Sequence, residues 1–193
     1  MVQQAYWKTL ISVLLVASTG YAQTYNILPN PEAPGHDYFN PEEGSSSVTY
    51  RDLVTTAHTD KILGWVQRGR LQDAINDIVY TLDRFANHPK GLQMASMVST
   101  LIKKPSLATY YFERAVKMYP QYAITHAQYG AYLLSTGNVD GAISRLRVAV
   151  ESDSNSAAAY ALLARAYVKK GDSQAARDAA AKAKELGYDT VTQ

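Results

Sequence analysis

A chain of 193 residues without cysteine cannot form a disulfide, an iron–sulfur cluster, a thiolate–zinc site or a covalently attached c-type haem. Its formal net charge is only +2, so composition gives no electrostatic case for a nucleic-acid partner. The length and a hydrophobic content of 47% allow one modest globular body.

Residues 1–22 have the arrangement of a secretory signal peptide. Lys8 precedes an apolar run over residues 10–17, and residues 18–22 place small side chains where a signal peptidase reads the chain. We therefore expect export across the inner membrane, cleavage before Gln23, and a periplasmic or cell-surface location. A retained N-terminal anchor is the alternative, although the apolar run is shorter than the ~20 residues of a membrane span.

Residues 23–47 are rich in proline, glycine and serine and cannot form a helix. Two interpretations remain open for this extended segment. It can dock through Tyr25, Tyr38 and Phe39 on a neighbouring subunit or on the protein's own repeats. Alternatively, it is a spacer that holds the domain away from the export machinery or the membrane.

Residues 47–88 predict a first pair of helices. An apolar helical pattern runs from Ser47 to Gly69, where the glycine ends it, and the stripe of a second helix covers residues 71–82. The Asn-His-Pro sequence at 87–89 then predicts a turn into the next helix.

The remaining chain repeats itself every 34 residues. Small residues in this pattern predict close helix contacts, Gly137 and Gly171 predict turns, and Asn138 and Asp172 are suited to cap the helices that follow. Each unit is therefore a helix, a short turn and a helix. The matching positions are Tyr129, Gly130, Leu133, Gly137, Ala142, Leu146 and Ala149, which return as Leu163, Ala164, Tyr167, Gly171, Ala176, Ala180 and Ala183.

This pattern resembles the tetratricopeptide repeat, and an unrelated antiparallel helix bundle is the alternative. One period earlier the register still fits, although Lys103 replaces the turn glycine, and in the first unit Ile62 stands where a small residue is expected. The resemblance implies an all-α fold, a right-handed solenoid of about four helix-turn-helix repeats preceded by the extended segment. The domain would cover residues 48–190, with repeats at 55–88, 89–122, 123–156 and 157–190, before a tail at 191–193.

The resemblance also implies a concave groove, lined by the first helix of each repeat, that binds segments of other proteins. Its middle would be small and apolar and its C-terminal end cationic, although the same residues can be ordinary packing alanines and solvated charges. The cytosolic chaperone-binding members hold a terminal carboxylate with Lys, Asn and Arg; Gln93, Met97, Ala127 and Ala131 stand at those places here. The groove residues would be Lys90, Gln93, Met97, Leu101, Ile124, Ala127, Ala131, Leu134, Ser135, Ala158, Ala161, Arg165 and Lys169.

The sequence predicts no catalytic residue, metal site or cofactor. His36, His58, His88 and His126 are spread singly over four segments, and none has a partner at the helical spacing of a metal site. The acid pair Glu42-Glu43 lies in the extended segment, where nothing holds it for acid–base work. We therefore expect a protein that is not an enzyme.

Two functions follow from these features. The first is a protein–protein interaction scaffold or adaptor of the bacterial cell envelope, whose partners are other envelope proteins. The second is a permanent subunit of a larger complex, which could be an enzyme, tethered by the Pro-rich segment. Neither requires nucleic acid or a membrane span after signal cleavage, and the sequence does not predict the oligomeric state.

Overall fold

The computed structural model describes residues 24–40 and 48–188, with side chains described from residue 50 in the second range. The predicted signal peptide, residues 41–47 and the tail at 191–193 lie outside the described residues. Within them, the regular structure is helical and no helix is both long and apolar enough to cross a bilayer. The α-helices are α1 (Val48–Ala57), α2 (Ile62–Gln67), α3 (Leu71–Arg84), α4 (Pro89–Leu101), α5 (Pro105–Met118), α6 (Ala123–Ser135), α7 (Val139–Ser152), α8 (Ala157–Lys170) and α9 (Ser173–Glu185), with a 3₁₀ helix at Thr59–Lys61.

The chain divides into two compact units, residues 1–111 and 112–193, and the division falls within α5. In the first unit, α3 packs against α2 and α4. In the second unit, α6 packs against α7 and α8, and α8 packs against α9. The predicted all-α class with helix-turn-helix pairs is confirmed.

Short turns with a left-handed residue separate the two helices of each pair. Gly137 and Gly171 adopt φ angles of 87° and 84°, which glycine reaches without a steric penalty. Asn138 and Asp172 follow them and accept hydrogen bonds from Gly141 N and Ala175 N, both at 3.0 Å. The predicted turns and helix caps are therefore confirmed at both places.

Close contact between α6 and α7 depends on one missing side chain. A Cβ atom on Gly130 would lie 2.5 Å from Leu146 Cγ and 3.3 Å from the Ala142 carbonyl oxygen. Tyr129 beside it stacks on Phe112, with ring centroids 4.9 Å apart. The small residue thus lets α6 and α7 approach closely, while the large residue beside it packs α6 against α5.

The first helix of the first repeat is broken, so the prediction of one continuous helix up to Gly69 is wrong. The helix stops at Ala57, and the chain passes through a 3₁₀ turn before α2 begins at Ile62. Three polar side chains in and after the break bond to α3. His58 Nδ1 and Trp65 Nε1 each lie 2.7 Å from a carboxylate oxygen of Asp77, and Thr59 Oγ1 lies 3.1 Å from Thr81 Oγ1.

Candidate protein-binding surfaces

Successive first helices place equivalent side chains side by side in the second unit. The predicted groove positions on α6 recur on α8 at the 34-residue period, so that Ile124, Ala127 and Ala131 correspond to Ala158, Ala161 and Arg165. Since α6 and α8 are in contact, these positions belong to one continuous helical surface. We call this the α6–α8 face, defined by Ile124, Ala127, Ala131, Ser135, Ala158, Arg165 and Lys169.

Most of the predicted residues on α6 and α8 are accessible. Ile124 is 46% exposed. Ala127 and Ala131 are half-buried, and Arg165 and Ala158 are exposed. The face therefore offers a small, apolar middle with a cation at one side.

Two of the predicted residues lie below this surface. Leu134 is 5% exposed and Ala161 is 8% exposed, so both pack among their neighbours and present almost no side chain to a partner. The helical register placed them near the groove, but burial depends on how neighbouring helices pack, which the register of one helix does not encode.

The two cations on α8 have different surroundings. Lys169 Nζ donates to the Leu134 carbonyl oxygen at 3.4 Å, which links the C-terminal ends of α8 and α6. Within the described part of the chain Arg165 forms no ion pair. Its guanidinium is therefore available to an acidic group of a partner.

The predicted groove residues on α4 belong to the first unit. Lys90 pairs with Asp60 in an exposed ion pair with an N–O distance of 2.5 Å, so its charge is already neutralised locally. Gln93 is exposed, whereas Met97 and Leu101 are half-buried. This helix offers a mixed surface without a net charge at its first turn.

The extended segment docks on the first unit of its own chain. Tyr38 packs on the His88 ring at a centroid distance of 4.3 Å and edge-on to Phe85 at 6.2 Å. Phe39, 36% exposed, lies edge-on against Tyr38. The sequence left open whether this segment docks on a neighbouring subunit or on the protein's own repeats, or serves as a spacer. In this structure, residues 24–40 dock on the protein's own first unit.

Buried polar groups hold this segment in place. Asn87, which is fully buried, donates from Nδ2 to Asp37 at 2.6 Å and accepts from Tyr38 N at 2.8 Å. Asp83 accepts from Asn30 N at 3.0 Å, and its backbone carbonyl accepts from Gly35 N. Every one of these bonds joins residues about fifty positions apart, so no local sequence signal indicated them.

Tyr25, the third aromatic residue predicted to dock, lies near the start of the described segment and is half-buried. Its burial raises the pKa of the phenol. The neighbouring Asn26 exchanges two hydrogen bonds with the Gln72 side chain on α3, each 2.9 Å long. The segment is therefore anchored at both ends, by Gln72 near residue 26 and by Asn87 near residue 38.

The buried histidines are structural groups. His88 Nδ1 accepts from Gly91 N at 3.1 Å and so caps α4, while Nε2 lies 3.1 Å from Thr55 Oγ1. Burial lowers the pKa of His88 to about 4. His126 Nε2 donates to the Pro120 carbonyl oxygen, and burial lowers the pKa of this histidine too. Within the described residues, no group of three or more His, Asp or Glu side chains could hold a metal ion.

Comparisons with known proteins agree with this geometry. Residues 103–165 and 133–190 match the tetratricopeptide repeat family, and no curated protein matches the chain. Similar solved structures include YrrB, described as a TPR protein with an unusual peptide-binding site, at 22% identity over 73% of each chain and a TM-score of 0.54.

Two further structures show the same fold. The pilF protein of Pseudomonas aeruginosa is 20% identical over 72% of this chain and 63% of that chain, with a TM-score of 0.58. MamA from Desulfovibrio magneticus RS-1 is 20% identical over 72% of this chain and 80% of that chain, with a TM-score of 0.54. At these identities the likeness concerns the fold alone.

Proposed function

Since residues 103–190 carry tetratricopeptide repeats, we propose that this protein is a non-catalytic scaffold that binds segments of other proteins on its α6–α8 face. Proteins with this fold are generally interaction modules rather than enzymes. Function in such proteins resides in the chemistry of the exposed helical surface and not in the fold itself.

The observation that carries the proposal is the composition of that face. Ile124 exposes nearly half of its surface, and the half-buried Ala127 and Ala131 beside it leave room for a partner's side chains. Arg165 adds a cation without an ion pair in the described chain. A fitting partner presents an apolar stripe followed by an acidic residue, as an amphipathic helix or an extended peptide can.

The fold analogy adds modest support. YrrB, whose repeats resemble this chain in structure, is described as having a peptide-binding site. We propose a peptide-like partner segment here as well, because the α6–α8 face is the surface that the repeats leave exposed along two consecutive first helices.

We also propose that the protein is exported and acts in the bacterial cell envelope, where its partners belong to an envelope complex. The support is the pattern of residues 1–22, with one early cation, a short apolar run and small residues before position 23. Mass spectrometry of the mature protein tests this directly. A first residue at Gln23 is expected, and an N-terminus at Met1 would contradict cleavage.

The binding proposal is tested in two steps. The tagged full-length protein is purified from its native envelope, and a co-purifying protein is identified and prepared in pure form. Its affinity is then measured for the wild type, for Arg165→Glu, and for Arg147→Glu, a matched charge reversal of an exposed arginine on α7. We expect Arg165→Glu to weaken binding at least tenfold, because the acidic end of the partner then meets a like charge.

Arg147→Glu should leave that affinity unchanged, since α7 does not contribute to the α6–α8 face. Equal affinity of the wild type and Arg165→Glu would contradict the proposed surface. A partner recovered in equal amounts at high salt would favour the permanent-subunit alternative, whereas weak or varied partners would favour an adaptor.

A further inference from the structure

A cavity of about 320 Å³ lies between the extended segment and α3 in the first unit. Its walls come from residues 26–33 of the segment and from the exposed side of α3 between Asn76 and Arg84. Because the segment is anchored to α3 at Gln72 and at Asp83, the docking of the segment itself creates this cavity. The α6–α8 face plays no part in it.

A chain of hydrogen bonds through Gln72 fixes the orientation of the Asn76 side-chain amide in this cavity. Asn26 N donates to Gln72 Oε1, which identifies the other terminal atom of Gln72 as the nitrogen. Gln72 Nε2 donates in turn to Asn76 Oδ1 at 2.9 Å, so that the Asn76 oxygen is an occupied acceptor. The Nδ2 group of Asn76 donates to no group in the described residues.

The Asn30 side-chain amide is oriented in the same way, with its oxygen bonded to the protein. Asn30 Oδ1 accepts the backbone N–H of Glu32 at 3.0 Å, which again commits the oxygen and leaves Nδ2 without an acceptor among the described residues. The cavity therefore presents two amide donors whose acceptor atoms are already engaged. This imbalance favours a ligand that is rich in acceptors.

Arg84 supplies a positive charge at the same place. Its guanidinium lies 5.3 Å from the centroid of the Tyr80 ring, and it forms no ion pair within residues 24–40 and 48–188. Asp83 also borders the cavity, but its two carboxylate oxygens accept from Asn30 N at 3.0 Å and from the Tyr111 hydroxyl at 2.9 Å. The Asp83 carboxylate is thus committed to hydrogen bonds within the protein, whereas the Arg84 guanidinium has no carboxylate partner among the described residues.

Apolar side chains complete the walls. Leu28 is 70% exposed and Tyr80 is 37% exposed, although both border the cavity and are large hydrophobic groups. Val79 beside them is half-buried. An apolar group in the cavity would therefore shield side chains that water now contacts.

From this arrangement we propose that the cavity binds a carboxylate attached to an apolar group, as found at the C-terminus of a peptide that ends in aliphatic residues. The Arg84 guanidinium pairs with the carboxylate, for which its planar geometry is suited. Asn30 and Asn76 donate their free amide hydrogens, and Leu28 and Tyr80 cover the apolar part. The volume lies at the small end of the range for ligand pockets.

The test is an NMR titration of the isotopically labelled full-length protein with N-acetyl-leucyl-leucine and, separately, with the same compound as its C-terminal amide. We expect the acid to shift the backbone resonances of Asn76, Val79 and Arg84, and to bind at least tenfold more tightly than the amide. Arg84→Gln should reduce the affinity for the acid at least tenfold. Arg147→Gln is the matched control and should leave it unchanged.

Inorganic phosphate serves as a third probe. If phosphate shifts the same resonances and the acid does not, the site is a simple anion site and the proposal is wrong. Equal binding of acid and amide, or unchanged binding of the acid to Arg84→Gln, would also overturn it. The outcome is independent of the Arg165→Glu experiment, because the two surfaces share no residue.

Discussion

At the scale of single residues, Lys103 is the one residue other than glycine that has a positive φ angle within the described part of the chain. It adopts a φ angle of 55° in the turn between α4 and α5, where the later repeats have Gly137 and Gly171. The left-handed region costs a side-chain-bearing residue about 1–2 kcal/mol. The turn keeps its shape because Lys104 N donates to Ser99 O, and Ser99 Oγ donates to Lys104 O.

We therefore expect Lys103→Gly to raise the free energy of unfolding by roughly 0.5–1 kcal/mol, since part of the gain is offset by the greater freedom of glycine in the unfolded chain. Chemical denaturation measures the change. Lys104→Gly is the control, because Lys104 is exposed and has no positive φ, and it should lower stability slightly. A loss of stability in Lys103→Gly would show that the lysine side chain makes an important contact.

His88 makes stability depend on pH. In the unfolded chain its pKa is near 6.5, whereas burial lowers it to about 4 in the folded protein. Between these values only the unfolded state takes up the proton, so the contribution of His88 is complete above pH 6.5 and is lost as the pH falls towards 4. The free energy of unfolding should decrease by about 1 kcal/mol per pH unit in this window.

His88→Asn isolates this effect, because asparagine can still cap α4 but does not titrate. The quantity compared is the slope of stability against pH between 6.5 and 4, measured by urea denaturation, and not the absolute stability. The wild type should show the steeper fall. Parallel slopes would mean that His88 is protonated in the folded protein.

At the scale of elements, the extended segment depends on Asn87. Asn87→Ala removes both the donor to Asp37 and the acceptor for Tyr38 N, which leaves buried polar groups without partners at a cost of about 1–3 kcal/mol. We expect faster hydrogen exchange at the amides of residues 35–40. Asn155→Ala, in the exposed turn between α7 and α8, is the control and should leave this exchange unchanged.

The last helix, α9, contributes only small side chains to the core of its unit. The buried residues of α9 are Ala176, Ala179 and Ala183, whose side chains bury little apolar area. Its C-terminal turn is well formed, since Tyr188 N donates to Ala183 O beyond the left-handed Gly187. We nevertheless expect α9 to exchange its amide hydrogens faster than α6, α7 and α8. Slowest exchange in α9 would contradict this.

At the scale of the whole molecule, local periodicity predicted what depends on near neighbours. The helices α4, α6 and α8 begin at Pro89, Ala123 and Ala157, the starts that the 34-residue period predicts. Turn glycines and small contact residues act within one helix pair, so a single sequence reveals them. In the first repeat, the polar bonds of His58, Thr59 and Trp65 to α3 accompany a break in the helix that propensity did not indicate.

Local periodicity does not reveal contacts between residues that are far apart in the sequence. The pairing of Asp37 with Asn87 joins an irregular segment to a turn fifty positions later, and neither residue belongs to a repeating pattern. The burial of Leu134 and Ala161 depends on the approach of neighbouring helices rather than on their own register. The sequence thus predicted which helices form the α6–α8 face more fully than which side chains are accessible on it.

Gly130 has a further consequence for redesign of this protein. The position tolerates nothing larger than a hydrogen atom, since even a methyl group would overlap Leu146. This contact of α6 is made with Leu146 and the Ala142 carbonyl oxygen on α7, whereas Ile124, Ala127 and Ala131 belong to the α6–α8 face. An engineer could vary exposed positions of the α6–α8 face while leaving 130 and 146 untouched, and the close contact between α6 and α7 would be kept.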